Sequence, residues 1–369
     1  MSKEKKLFIA ATRQNDGKTL VSLGLIQAFK QYAKNIGFMK PVGQRYVEVE
    51  GYKVDEDAVL IKSCCNCDGE LRHISPIAVE RGFTEEYINH GKKQVLTNVI
   101  MESYKEISKG KDLVVIEGTG HAGVGSVFDL GNGSVAKLLG AKVLIITVGG
   151  IGRPIDEIIL NKALFEKEGV ELVGVVINKV IPNKMDKIKD YIERGLAKKG
   201  IELFGAIPYT KRLTWPSIKQ VMESIPSKLI NGRESLDNQI EKIVVGAMTP
   251  HNALEFFGER TLLITPADRE DIVLAAMSSS AIGTERKHGI SGIILTGKMQ
   301  IHQSVMDLIQ KTTIPVLAVD IDTYGVASLI HDLVVKIVET DMEKIRTAKS
   351  LVEEYVDVER LFEKLSRNN

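Results

Sequence analysis

The chain has 369 residues, 44% of them hydrophobic and 26% charged, the profile of an ordinary globular protein with more than one buried core. Lys and Arg number 49 against 48 for Asp and Glu, so no basic excess points to nucleic acid or an anionic membrane as partner. No apolar run approaches the ~20 residues of a bilayer span, and the polar start, residues 1–6, does not read as a signal peptide. A cytoplasmic protein with no nucleic-acid or membrane partner is expected.

A strand is expected at residues 7–11, then the loop "TRQNDGKT", then a helix over 18–34. Strand, loop, Gly17-Lys18-Thr19 and helix form the setting in which a phosphate-binding loop has meaning. Backbone N–H groups of the turn and helix start point at phosphates. Lys18 would reach the β- and γ-phosphates, and the Thr19 hydroxyl would meet Mg2+. Thr12 stands where the pattern G-x-x-x-x-G-K-[ST] has its first glycine. A short strand at 35–39 ends at Lys40-Pro41, and "VDEDAV" supplies Asp55 and Asp57 ahead of a helix at 55–62. A helix is expected over 85–108. "DLVVIEGTGH" is a buried strand ending on Glu117, followed by Gly118, Gly120 and His121. The runs "AKVLIITVGG", "VELVGVVINKV" and "IELFGAIPY" are further strands, with helices between them. The second of these ends near Asn178-Lys179 and the third contains Pro208. Continuous apolar strands alternating with helices predict an α/β fold, a mostly parallel sheet with helices on both faces.

Pro216, Pro226 and Gly232 interrupt residues 213–238, which marks a junction. The α/β pattern then restarts. Strands are expected in "KIVVGAM", "RTLLITP", "GISGIILTG" and "IPVLAVD", with helices at 252–257, 268–278, 303–311 and 324–333. From 341 the periodicity is helical, with "TDME" as a capping-box start. The expected domains are 1–213, a smaller α/β domain at 214–340, and a docked helical tail at 341–369.

Cys64, Cys65 and Cys67 sit together in "SCCNCDGELRH". With His73 they do not match a zinc spacing, and a reduced surface turn after a helix is expected.

Lys40, Asp57, Glu117 and Asn178 are all expected at the carboxyl edge of one sheet, where open α/β folds bind ligands. Each also has a plain structural reading. Lys40 fits a solvated strand end, the aspartates a helix N-terminal charge pair, Glu117 a surface acid and Asn178 a turn residue. Asn178 also carries an amide suited to a base edge. His121 is either a proton-transfer group or phosphate neighbour, or an ordinary polar loop residue. Asp268 after Pro266 suits a helix N-cap, and the acids after it are read either as helix-start charges or as part of a ligand or partner contact.

These stretches together resemble the dethiobiotin synthetase-like P-loop family, which includes the ATPase domains of cobyrinic acid amide synthases. The resemblance covers roughly residues 5–212. It rests on the loop ending in Gly17-Lys18-Thr19, on Lys40-Pro41-Val42, Asp57-Ala58 and Glu117 through Gly120, and on Asn178 and Pro208. It implies ATP and Mg2+ as cofactors, with Thr12, Asp16, Gly17, Lys18, Thr19, Leu20, Asn178 and Pro208 around the nucleotide. It implies Thr19, Asp57 and Glu117 at the metal, and Lys18, Lys40, Glu117 and His121 at the chemistry. Phosphoryl transfer of this kind works by positioning and charge neutralisation. Gly43-Gln44-Arg45 and "HAGVGSVFDLGN" depart from the biotin enzyme and resemble the regulatory N-terminal region of long phosphate acetyltransferases. "VVGAMTPHNALEFF", "LLITPADREDIVLAAM" and "GIILTG" resemble the DRTGG domain over about 214–335, with Asp268-Arg269 and Thr296-Gly297 as the remnants of its name. The chain thus reads as the regulatory half standing alone. A homodimer is implied by resemblance, as is a metabolic-enzyme partner through the second domain. The expectation is a nucleotide-responsive regulatory ATPase. An ATP-dependent ligase or amide synthase of unknown substrate stays open, as does a scaffold that no longer binds nucleotide.

Overall fold

The computed structural model describes residues 4–281, 289–298 and 300–367. The chain divides into two compact units, Met1–Thr210 together with Ile337–Asn369, and Lys211–Lys336.

The first unit is built on six strands: β1 (Lys5–Ala11), β2 (Ile36–Met39), β3 (Leu113–Glu117), β4 (Lys142–Val148), β5 (Leu172–Val180) and β6 (Leu203–Pro208). They pair in the order β6-β5-β4-β1-β3-β2, and every pairing is parallel. All of β3, and all but the ends of β1 and β4, are buried, which is why these strands read as unbroken apolar runs rather than alternating ones. Helix α1 (Lys18–Phe29) follows β1 and is buried on almost every side. It ends five residues before the sequence pattern suggested. Gln31 and Tyr32 turn their N–H groups back to Ala28 and Phe29 (3.3 and 2.9 Å), so the last carbonyls are satisfied by a tightened final turn.

The C-terminal helices Met342–Tyr355 and Val358–Ser366 belong to this first unit. Met342–Tyr355 lies along α1. A Cβ on Gly24 of α1 would stand 2.3 Å from Val352 Cγ2, so only glycine lets the two helices approach this closely. The helix is capped by Asp341, whose side chain accepts from Lys344 N at 3.1 Å.

Two other expectations change. The helix expected over 85–108 is two helices, Phe83–His90 and Lys93–Ser108. Gly91 between them is extended (φ −67°, ψ 147°), in keeping with the cost of glycine inside a helix. The approach to Asp55 is a β-hairpin, Tyr46–Val49 with Tyr52–Asp55, where no strands were expected.

The second unit carries β7 (Ser227–Asn231), β8 (Lys242–Val245), β9 (Thr261–Pro266), β10 (Gly292–Thr296) and β11 (Val316–Val319). Their order is β7-β11-β10-β9-β8. The edge strand β7 is antiparallel and the rest are parallel. One apolar cluster, including Leu263, Ile272, Ile293 and Val316, covers one face. A second, including Ile218, Leu262, Ile294 and Val326, covers the other. Much of the interrupted stretch is ordered into elements, β7 and the helix Ile218–Ser224, which starts with a Ser217–Gln220 capping box. Among the described residues no helix is long and apolar enough to cross a membrane.

Candidate functional site

The loop between β1 and α1 is held by its own side chains and by the ends of neighbouring strands. Thr12 occupies the first glycine position of the pattern, and its backbone continues the pairing with β4 (Thr12 N to Ile146 O, 2.9 Å). Its hydroxyl donates to Asp16 Oδ2 (2.8 Å) and lies 3.0 Å from Thr147 Oγ1. Asp16 also accepts from Arg13 N at 2.7 Å. Burial raises the Asp16 carboxyl to about 6, against the lowering effect of Thr12, Lys18 and Lys179. On the far side, Lys179 Nζ donates to Asn15 O (2.6 Å) and Asn178 Nδ2 to Asp16 O (2.8 Å). Asn178 Oδ1 accepts from Lys179 N at 2.8 Å, so both polar ends of this amide are engaged in bracing the turn. Gly17 has φ 102°, and a Cβ there would stand 2.0 Å from Asn178 Nδ2. The turn therefore requires glycine on two grounds, its left-handed backbone and its contact with Asn178.

Gly17 is the N-cap of α1, and among the described residues no side chain caps the helix. The first-turn amides of Lys18, Thr19 and Leu20 have no partner within the helix. The Lys18 side chain is buried with them. Burial pushes its ammonium below the usual lysine range, and Lys40 adds to this against the opposing pull of Glu117.

Beside this helix start lies a buried ionic cluster. Thr19 Oγ1 donates to Glu117 Oε1 (3.2 Å), and Lys40 Nζ donates to the same oxygen at 2.9 Å. Lys40 also donates to Asp57 Oδ2 and stands 3.3 Å from Asp55 Oδ1. Burial disfavours the Lys40 charge, but Glu117, Asp57 and Asp55 outweigh it and hold the group well above the usual lysine range. Glu117 is fully buried, and its Oε2 has no hydrogen-bond partner among the described residues. Asp55 is at once a neighbour of Lys40 and the N-cap of helix α2 (Glu56–Cys65), accepting from Asp57 N at 3.0 Å.

The structure thus brings Lys18, Thr19, Lys40, Asp57 and Glu117 together. Thr12, Asp16, Gly17 and Asn178 form the brace of the loop, and Leu20 lies in the first turn of α1. Lys40 and Glu117 are buried partners, not a solvated strand end or a surface acid. His121 and Pro208 lie outside the hydrogen-bonded set among the described residues. His121 is exposed, its Nδ1 accepting from Gly123 N at 3.2 Å. Pro208 ends β6 opposite Val180. Sequence reasoning missed Thr147 and Asn132. Thr147 is a lone hydroxyl near the end of an apolar run. Asn132 pins the glycine-rich loop, accepting from Thr119 N (3.1 Å) and donating to the carbonyls of Thr119 and His121 (2.8 and 2.6 Å).

Cys65 and Cys67 are buried instead of lying in a surface turn, and Cys64 is half-buried; all three are free. Burial pushes the Cys65 and Cys67 thiols up to about 11 and about 12. No group of three or more His, Cys, Asp or Glu is arranged to hold a metal among the described residues.

Comparison with known proteins agrees with the architecture expected from the sequence. The AAA domain model matches residues 5–217 and the DRTGG domain model residues 220–333. The phosphate acetyltransferase of Nitratidesulfovibrio vulgaris is 28% identical over an alignment of 378 residues, which covers 97% of this chain and 51% of that protein. That of Synechocystis is 26% identical over 365 residues, covering 96% and 51%. The chain spans about half the length of these curated relatives. Among solved structures, the MinC:MinD cell division protein complex of Aquifex aeolicus is 13% identical, with 57% of this chain and 83% of that chain covered and a TM-score of 0.35. The CBS and DRTGG domains of the regulatory region of Clostridium perfringens pyrophosphatase, complexed with the activator diadenosine tetraphosphate, are 21% identical over 32% of this chain and 47% of that chain, with a TM-score of 0.27. The chain belongs to the AAA_26 family of AAA domains, joined here to a DRTGG domain.

Proposed function

We propose that the first unit binds Mg2+–ATP at the carboxyl edge of its sheet and hydrolyses it slowly. In this reading the nucleotide state regulates what the second unit meets, either a small ligand or a metabolic enzyme. The protein acts in the cytoplasm as a homodimer, the pairing resting on family resemblance. The observation that carries the proposal is the uncapped start of α1, with Lys18 buried beside it and Glu117 within its field. Helix amides and a buried ammonium suit a phosphate chain. Lys18 would hold the terminal phosphates, while Thr12, Asp16 and Asn178 keep the turn in shape before nucleotide arrives.

The residues also fit Mg2+. Thr19 and Glu117 offer hard oxygen donors, and the unpartnered Oε2 of Glu117 is the kind of buried atom a cation would satisfy. Thr19, Asp57 and Glu117 would hold the ion together with phosphate oxygens, and the ion would offset phosphate charge. Lys40 would steady charge on the transferred group, since it is fixed by carboxylates and shielded from water.

Calorimetric titration with Mg2+–ATP tests this reading, with ADP release followed in parallel. Lys18→Ala is expected to bind ~10–100-fold more weakly, because the phosphates lose a charge-assisted hydrogen bond. Slow turnover by the wild type alone supports a regulatory ATPase, whereas tight binding without turnover favours a ligase awaiting its acceptor. Absence of binding to the wild type refutes the proposal.

A further inference from the structure

One ammonium stands among three buried carboxylates at the edge of the first sheet. Lys40, 4% exposed, donates to Glu117 Oε1 at 2.9 Å and to Asp57, and lies 3.3 Å from Asp55 Oδ1. Groups facing the cluster include Lys18, which feels the charges of Glu117, Asp16 and Asp57, and the Thr19 hydroxyl. Three carboxylates this close cannot stay ionised in a buried site without a cation among them. Glu117 Oε1 is the contested atom. It accepts from Lys40 and from Thr19, and Thr19 and Glu117 are the oxygen donors suited to a divalent ion. A divalent ion bound there would need the oxygen that Lys40 now holds, and it would repel the ammonium at short range.

We propose that Lys40 is a built-in counter-ion of this site, which keeps Asp55, Asp57 and Glu117 assembled without metal and competes with a divalent cation for Glu117. Entry of the cation releases the ammonium from Glu117, which frees it to meet phosphate oxygens. The site thus disfavours bare metal and accepts it when a phosphate chain is present to receive the displaced ammonium. This rests on the nucleotide-site reading given above, but it is tested without nucleotide.

The experiment titrates Mn2+ into the nucleotide-free full chain and follows the free ion by electron paramagnetic resonance. Lys40→Met is expected to bind Mn2+ ~10-fold or more tightly than the wild type. Its melting temperature is expected to rise with Mg2+ while that of the wild type stays put. The double variant Lys40→Met/Asp55→Asn guards against misfolding. Asn keeps an acceptor for the α2 cap, and the cluster keeps the net charge of the wild type. It is still expected to bind Mn2+ more tightly than the wild type, because the resident cation is gone, whereas an effect of net charge alone would leave its affinity unchanged. Equal affinity in the wild type and the double variant overturns the proposal, as does equal affinity in the wild type and a folded Lys40→Met. A separate ATP titration distinguishes the two readings. Wild-type ATP binding with no gain of Mn2+ affinity sinks only the counter-ion role. A gain of Mn2+ affinity without any ATP binding sinks only the nucleotide role.

Discussion

The two sheets of this protein end in opposite ways. At the carboxyl edge of the first, Asp16, Lys18, Lys40, Asp57 and Glu117 are all buried. Among the described residues of the second unit, the buried polar side chains are hydroxyls, those of Ser217, Thr261, Thr265, Ser291 and Thr296, with no buried charge among them. At its edge, Thr296 and Thr323 pair their hydroxyls at 2.7 Å, and the half-buried Arg269 reaches the carbonyls of Gly246 and Met248 (3.1 and 2.9 Å). Buried charge is costly unless fully paired, and an apolar replacement is often as stable. A cluster of this kind is poor evidence for stability and better evidence for chemistry. The same sheet architecture thus carries one edge lined with buried charges and another closed by backbone and hydroxyl contacts.

The largest expected effect comes from Glu117→Leu, which removes the carboxylate shared by Lys40 and Thr19. It is expected to destabilise the protein by about 2–3 kcal/mol, because Lys40 and the Thr19 hydroxyl lose a charged acceptor while Lys40 keeps Asp57 and Asp55, measured by urea unfolding. A loss below about 1 kcal/mol would mean that the cluster is hydrated rather than buried, and the contrast between the edges would weaken.

Asp16 gives the next effect. Its folded-state carboxyl titrates at about 6, above the ordinary 3.8, so the folded chain binds this proton more tightly than the unfolded one. The stabilisation it gives is present at low pH and is lost as pH rises through about 6. Asp16→Asn removes that dependence, so the stability of the variant relative to the wild type should rise by about 2 kcal/mol from pH 4.5 to pH 7. A difference that is flat with pH would contradict the burial of this carboxylate.

The smallest effect belongs to the second sheet. Thr265 is fully buried, and its hydroxyl has no hydrogen-bond partner among the described residues. Thr265→Val keeps the shape and removes an unsatisfied group, so it is expected to be neutral or stabilising by about 1 kcal/mol in the same urea experiment. A loss comparable to that of Glu117→Leu would show that the second edge also depends on a polar network.

Much of this contrast is legible in the sequence. Apolar runs that stop on Lys40, Glu117 and Asn178 announce buried strands whose ends carry polar groups, and Gly17-Lys18-Thr19 announces the turn. The contacts that complete the site depend on strand order, which brings distant segments side by side. Thr147 meets Thr12 because β4 lies beside β1. Lys179 and Asn178 reach the turn from the end of β5, two strands from β1 in the sheet. In the sequence Asp55 reads as half of a helix N-terminal charge pair, and in the structure it caps α2 while standing beside Lys40. Gly24 shows a different limit. Inside an apolar helix it reads only as a cost, yet it admits Val352, more than three hundred residues away in the chain. Local pattern places the elements and their polar ends. It does not carry the packing partners that give those ends their purpose.

The most direct test of the contrast is hydrogen exchange by mass spectrometry on the full chain, with and without Mg2+–ATP. Ligand contact at the first edge should slow exchange most in peptides spanning residues 12–20 and 117–121, with smaller changes in those spanning 246–249 and 320–325. Protection confined to the second unit, with residues 12–20 unaffected, would contradict the assignment of the nucleotide to the first sheet.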